Sequence, residues 1–178
     1  NKISAFNTLE KDIEELIDTW AAKGITGIKV KGVDKEQLKI IIQRAHLHGL
    51  TVTGHLDSGF GQSVNADQAM QLGIDRIEHF LGGDILPDSL TAYQALSTAN
   101  PWDERMDAII DTYIAKHIYY CPTISAYGMV GESKDIALQD WIDQQKFFTD
   151  YSKRVINDRP KGLPFHFMFG KIYEFKKV

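Results

Sequence analysis

Apolar residues recur at helical spacing through residues 8–23, where Leu9, Ile13, Leu16, Ile17 and Trp20 share one stripe and Gly24 follows as a stop. The next eight residues, ITGIKVKG, read as a short strand. Asp34 is placed to cap a second amphipathic helix over 34–49, with Leu38, Ile41, Ile42 and Ala45 on its apolar stripe and Gly49 at its end. LTVTGH is the following strand. After a glycine-rich turn, NADQAMQLG predicts a brief helix capped by Asn65 and closed by Gly73, leading into the strand IDRIEHF. Residues 81–101 are long and turn-rich for a connection, with a helical piece in DSLTAYQALS. A helix over 102–117, a strand IYYCPTIS and a further helix over 135–157 complete the pattern, and the tail after Pro160 has no clear period.

Strand–helix alternation at this spacing implies parallel strands joined by right-handed crossovers, in a doubly wound sheet or an eight-stranded barrel. About four such units are present, whereas a closed barrel needs about 250 residues; the 178 residues here fall well short. The expected organisation is therefore one incomplete α/β domain spanning 1–178. A formal charge of −4 offers no basic field for phosphates, so nucleic acid is not an expected partner. No apolar run approaches the roughly 20 residues of a membrane span. Cys121 is the only cysteine, which excludes an internal disulfide and a cysteine zinc cluster. The chain opens on Asn1, so compartment cannot be read, and the natural start is expected to lie upstream.

Three polar residues stand at the C-terminal ends of predicted strands, where parallel barrels build active sites: Lys29 in GIKV, His55 in VTGH and His79 in RIEH. The intervals between them are each close to one strand–helix unit, so the three come from successive strands and can converge. Alternation sends Ile28 and Val30 toward the helices and Lys29 into the barrel interior. A lysine buried there must be neutral, paired or chemically altered, because desolvation disfavours its charge. Neutral lysine can take up carbon dioxide as a carbamate, and two neutral imidazoles beside such an oxygen donor suit zinc or a similar divalent ion. Taken singly, Lys29 also reads as a strand-end lysine reaching solvent, and each histidine as a hydrogen-bonded core residue.

GIKVKG, VTGHL and GIDRIEHF, in that order and spacing, resemble the fourth, fifth and sixth strands of the amidohydrolase superfamily, most of all its imidazolonepropionase-like and Xaa-Pro dipeptidase-like branch. The resemblance extends over about residues 8–125, and YYCPTIS is similar to that branch's seventh strand. It implies a partial TIM (β/α)8 barrel carrying about strands four to seven, with Lys29 as a carboxylated bridging lysine and His55 and His79 as metal ligands. It further implies one or two divalent metal ions, zinc first among them, and hydrolysis of an amide or other carbon–nitrogen bond in a peptide or small molecule by metal-bound hydroxide. The family's first-strand His-x-His and its late-strand general-base aspartate have no counterpart, since His46 and His48 lie on a predicted helix. The expectation is thus a fragment of a longer enzyme, inactive alone, with the catalytic base outside this chain and a metal site short of its full ligand set.

Open strand edges and uncovered apolar faces in such a fragment predict self-association. Tyr127, just past the last strand, is a candidate substrate contact. His46, His48 and His117 are explained by helix ends, where a histidine meets the dipole favourably, and Cys121 by packing in a strand. Gly59-Phe60-Gly61 resembles a dinucleotide fingerprint but has Val64 where its third glycine belongs, so no nucleotide site follows. The alternative function is a non-catalytic binding module that kept barrel strands without their chemistry. A complete doubly wound domain, with the strand-end trio a coincidence, is a third possibility.

Overall fold

The computed structural model describes residues 2–3, 10–81, 87–124, 146–151, 154 and 171–172. The chain divides into two units, Asn1–Pro122 and Thr123–Val178. The first is an α/β unit built on one parallel sheet. Its strands are β1 (Lys2–Ile3), β2 (Gly27–Lys31), β3 (Thr51–His55), β4 (Arg76–Glu78) and β5 (Tyr119–Cys121), arranged in the order β1-β2-β3-β4-β5. Every adjacent pair is parallel, and the order follows the sequence without reversal. β1 lies ahead of the first element that the hydrophobic pattern predicts.

The crossovers are α1 (Glu10–Ala22), α2 (Lys35–Leu47), α3 (Ala66–Leu72), and the pair α4 (Ala92–Thr98) and α5 (Arg105–Ala115). Their start points follow from local chemistry. Asp34, Asn65 and Thr91 each accept the backbone N–H three residues on, while Gln37, Gln68 and Gln94 reach back to the cap, so three capping boxes satisfy otherwise orphaned donors. α3 ends at Gly73, whose φ of 89° is a left-handed conformation that favours glycine.

The apolar stripes meet one face of the sheet. Ile13 and Ile17 of α1, Leu38, Ile41, Ile42 and Ala45 of α2, and Ala69 and Met70 of α3 are buried, as are Ile28, Val30, Val52 and Ile77 of the strands. Each large aliphatic so placed contributes about 1.5–3 kcal/mol relative to exposure. Alternation along β2 holds as the sequence predicts, with Ile28 and Val30 buried and Lys29 and Lys31 exposed. α1 and α2 are also joined by Arg44, which donates from Nε and Nη2 to the two carboxylate oxygens of Asp18 at 2.6 and 2.5 Å.

In the second unit, Ile172 is buried and Phe147 and Tyr151 are exposed. The helix predicted over 135–157 falls mostly outside the described residues, as do Tyr127 and nearly all of the tail after Pro160. No helix among the described residues is long and apolar enough to cross a membrane.

Candidate functional site

Strand register lays two rows of polar side chains across the sheet face opposite the buried aliphatics. Lys29, Thr53, Arg76 and Tyr119 are aligned in one row; Lys31, His55, Glu78 and Cys121 form the next, nearer the C-terminal rim. Cys121, expected as a buried strand residue, is a free and partly exposed member of the second row.

His79 follows directly on β4. Strict alternation would place it on the side of Ile77, among the helices. Instead its φ is 71°, and the Phe80 N–H donates to the Glu78 carbonyl at 2.9 Å, so His79 is the central residue of a tight turn. A non-glycine residue there is strained by about 1 kcal/mol or more. The surroundings fix it: the His79 N–H donates to the Cys121 carbonyl at 2.9 Å, and the hydroxyl of the half-buried Tyr120 donates to the His79 carbonyl at 3.0 Å. Tyr113 Oη donates to the Leu81 carbonyl at 2.9 Å, so two phenols clamp the segment from His79 to Leu81. Burial pushes both phenols well above their ordinary range, which keeps them protonated donors. The turn brings the His79 ring to that of His55, edge to face, with centroids 4.6 Å apart.

Glu78 links the rows. Its Oε2 takes the Lys29 ammonium in an ion pair, its Oε1 accepts from Thr53 Oγ1 at 3.3 Å, and His79 Nε2 lies 3.7 Å from Oε2. Lys29 therefore stands on the predicted face and is paired, one of the three states the sequence allows. It is not buried, however: its side chain is 50% exposed against 12% for Glu78. The ammonium can reach solvent and a carboxylate together from this strand, so burial does not force neutrality. Burial raises the Glu78 carboxyl, but the Lys29 hydrogen bond and charge, the His79 charge and the Thr53 hydroxyl outweigh it and hold the group below its ordinary value.

His55 has the opposite environment. Desolvation, then the positive charges of His79, Lys31 and Lys29, depress its pKa to about 4 against a weaker opposing pull from Asp57. Its imidazole is neutral at physiological pH and keeps a lone pair. An aromatic wall stands beside it, with Phe80 at 5.6 Å and Tyr93 of α4 at 6.3 Å between ring centroids, and Phe80 packed edge to face on Tyr93 at 4.8 Å.

The structure thus brings His55 and His79 together, with Lys29 joined to them through Glu78. Among the described residues no group of three or more His, Cys, Asp and Glu side chains is placed to hold a metal ion. A hollow of about 490 Å³ is lined by Lys29 and Thr53 together with Thr26, Thr51, Asp75, Arg76, His117 and Tyr119 among others, and neither imidazole of the pair borders it. Helix-end dipoles do not alone account for His46 and His48: His46 Nε2 lies 3.0 Å from Asp75 Oδ2, and His48 Nε2 lies 2.7 Å from Asp18 Oδ1.

Two participants were missed in the sequence. Glu78 was legible in principle, since alternation in RIE opposes it to Ile77 and puts it on the same sheet face as Lys29. Tyr93 had no such signal, because its approach to His55 is purely tertiary.

No family model matches the chain, and no curated protein matches it. Among solved structures, a Xaa-Pro dipeptidase crystallised with methionine bound in its active site aligns with a TM-score of 0.44 and 20% identity, over 85% of this chain and 32% of that one. The chain spans about a third of that protein's length.

Proposed function

We propose that this chain is part of a metal-dependent hydrolase barrel acting on a carbon–nitrogen bond, with His55 and His79 as its metal-binding imidazoles. The observation that carries the proposal is the pair itself: two imidazoles at the C-terminal rim of neighbouring parallel strands, one of them turned there by a strained backbone. Two imidazoles bound to one tetrahedral ion at about 2.0–2.1 Å have ring centres about 5 Å apart, and the 4.6 Å separation here is close to that. The neutral state of His55 suits a zinc ligand. Sequential strand order without a reversal supports a barrel segment over a doubly wound sheet.

When bound, such a metal would lower the pKa of its water and polarise a substrate carbonyl. The chain's own residues prepare for it. Glu78 anchors Lys29, Tyr120 fixes the turn that presents His79, and Phe80 and Tyr93 exclude water from one side of His55. Carboxylation of Lys29 needs an unprotonated amine, so in this scheme Glu78 must first release it.

That same ion pair favours a second reading, a binding module in which the lysine is a structural cation. Equilibration of the purified chain with zinc, followed by elemental analysis, separates the two. The hydrolase reading expects zinc retained by the wild type and lost in a Lys29→Ala, His55→Ala, His79→Ala variant. Equal zinc in both would remove the proposed site.

A further inference from the structure

The loop after β3 does more than connect His55 to α3. Asp57 Oδ1 accepts hydrogen bonds from the Ser58 N–H at 2.9 Å and the Ala92 N–H at 2.6 Å, and Ser58 Oγ lies 3.3 Å from it. Ser58 is 1% exposed, and its hydroxyl also contacts the Leu90 carbonyl. A residue two places after His55 therefore binds the first turn of α4 from the side, and the next residue binds the chain just before it. The loop is itself held, because the Asp57 N–H donates to the Val64 carbonyl at 3.2 Å and the Val64 N–H donates to the Val33 carbonyl at 3.0 Å, beyond the end of β2.

α4 has its own capping box from Thr91 and Gln94, so Asp57 is not needed to start the helix. What Asp57 adds is its location. The residue after Ala92 is Tyr93, whose ring lies 6.3 Å from that of His55 and 4.8 Å from that of Phe80. We propose that Asp57 is a positioning residue for the imidazole pair: by clamping the first turn of α4 to the loop after β3, it holds Tyr93 against His55 as a wall of the site. This rests on the reading of His55 and His79 as metal ligands only for its consequence, since the placement of Tyr93 can be observed with no metal present.

The test uses the full chain with Asp57→Ala, Asp57→Asn and Tyr93→Leu. In zinc-free protein, nuclear Overhauser effects between the His55 and Tyr93 rings are expected in the wild type, abolished in Asp57→Ala, and retained in Asp57→Asn, whose amide oxygen can still accept from both N–H groups. Far-UV circular dichroism confirms that each variant is folded; should Asp57→Ala fail to fold, Ala92→Pro takes its place, since it removes the N–H that Asp57 accepts at a first-turn position where proline is favoured, and an Overhauser effect that persists unchanged there overturns the proposal. Overhauser effects that persist unchanged in a folded Asp57→Ala overturn the proposal. With zinc as the probe, Asp57→Ala and Tyr93→Leu should bind about tenfold more weakly than wild type, as expected when a group that orients a ligand is removed, and Asp57→Asn within threefold. Unchanged zinc affinity in an Asp57→Ala protein whose two rings have moved apart would reduce Asp57 to a structural clamp and overturn its positioning role. Absence of zinc binding in every sample would count against the hydrolase reading, while the Overhauser effects would still decide for or against Asp57.

Discussion

Lys29 and Glu78 form one ion pair, yet removing either partner should have unequal effects. The Glu78 side chain is 12% exposed and that of Lys29 is 50% exposed. In Lys29→Met, a nearly buried carboxylate keeps the Thr53 hydroxyl at 3.3 Å and the His79 ring at 3.7 Å but loses its ammonium partner. Leaving such a group without its cation costs about 2 kcal/mol, toward the middle of the range for buried acceptors and below that for a fully buried pair. In Glu78→Gln, the Lys29 ammonium can hydrate through its exposed side, and the loss should be about 0.5 kcal/mol, as for exposed pairs. The double variant should recover about 1 kcal/mol relative to Lys29→Met alone.

The pH dependence sharpens the test. In the wild type the folded-state pKa of Glu78 is lowered, so its contribution is present above the ordinary carboxylate range and lost as pH falls through it. In Lys29→Met, desolvation acts with much less opposition and raises the carboxyl, so the penalty is largest at neutral pH and is relieved on acidification. Urea unfolding of the four proteins at neutral and mildly acidic pH measures this directly. A Glu78→Gln loss equal to that of Lys29→Met at neutral pH, or a Lys29→Met penalty that does not shrink on acidification, would refute the reasoning.

His55 should make the fold acid-sensitive in a different window. Its pKa falls from 6.5 to about 4 on folding, so below pH 6.5 the unfolded chain binds a proton that the folded chain refuses. Stability should decline as pH falls between those values by about 1.5 kcal/mol, roughly half what the shift alone would give because the ring is partly exposed, and His55→Asn should flatten urea midpoints plotted against pH. Gly54 precedes His55 on β3, and a Cβ there would meet Leu56 Cδ2 at 2.7 Å and Ile74 Cδ1 at 3.0 Å. Gly54→Ala should therefore destabilise by about 1–3 kcal/mol through overpacking, read as a lowered thermal midpoint. Asp34→Ala removes the acceptor that Gln37 N–H meets at 2.8 Å and should lower stability by about 1 kcal/mol, visible in the same thermal melts.

The parallel sheet, the three central crossover helices and two of their caps were legible because they rest on local periodicity and capping chemistry. Ile28 and Val30 fell on the helix side for the reason alternation gives, and Asp34 and Asn65 cap as their types prefer. The site was legible only as a set of residues without its geometry. Period-two reasoning places His55 on the polar face, but it sends His79 to the wrong one; the reversal depends on a positive φ held by Tyr120 and the Cys121 carbonyl, residues about 40 positions later. Lys29 was expected to be buried because alternation points it to a barrel interior, whereas its side chain is half exposed and paired with a single carboxylate. Asp18 and Asp75, the partners of His48 and His46, come from outside α2, beyond the reach of helix-end rules.

The central claim is that His55 and His79 form one metal-binding pair, and histidine-ring NMR during zinc titration tests it most directly. The chain has 6 histidines, so each ring can be followed separately. The account predicts that the His55 and His79 signals move together, saturate at the same zinc ratio, and stay still when either residue is replaced by alanine. Zinc that perturbs other rings while leaving these two unmoved would contradict it.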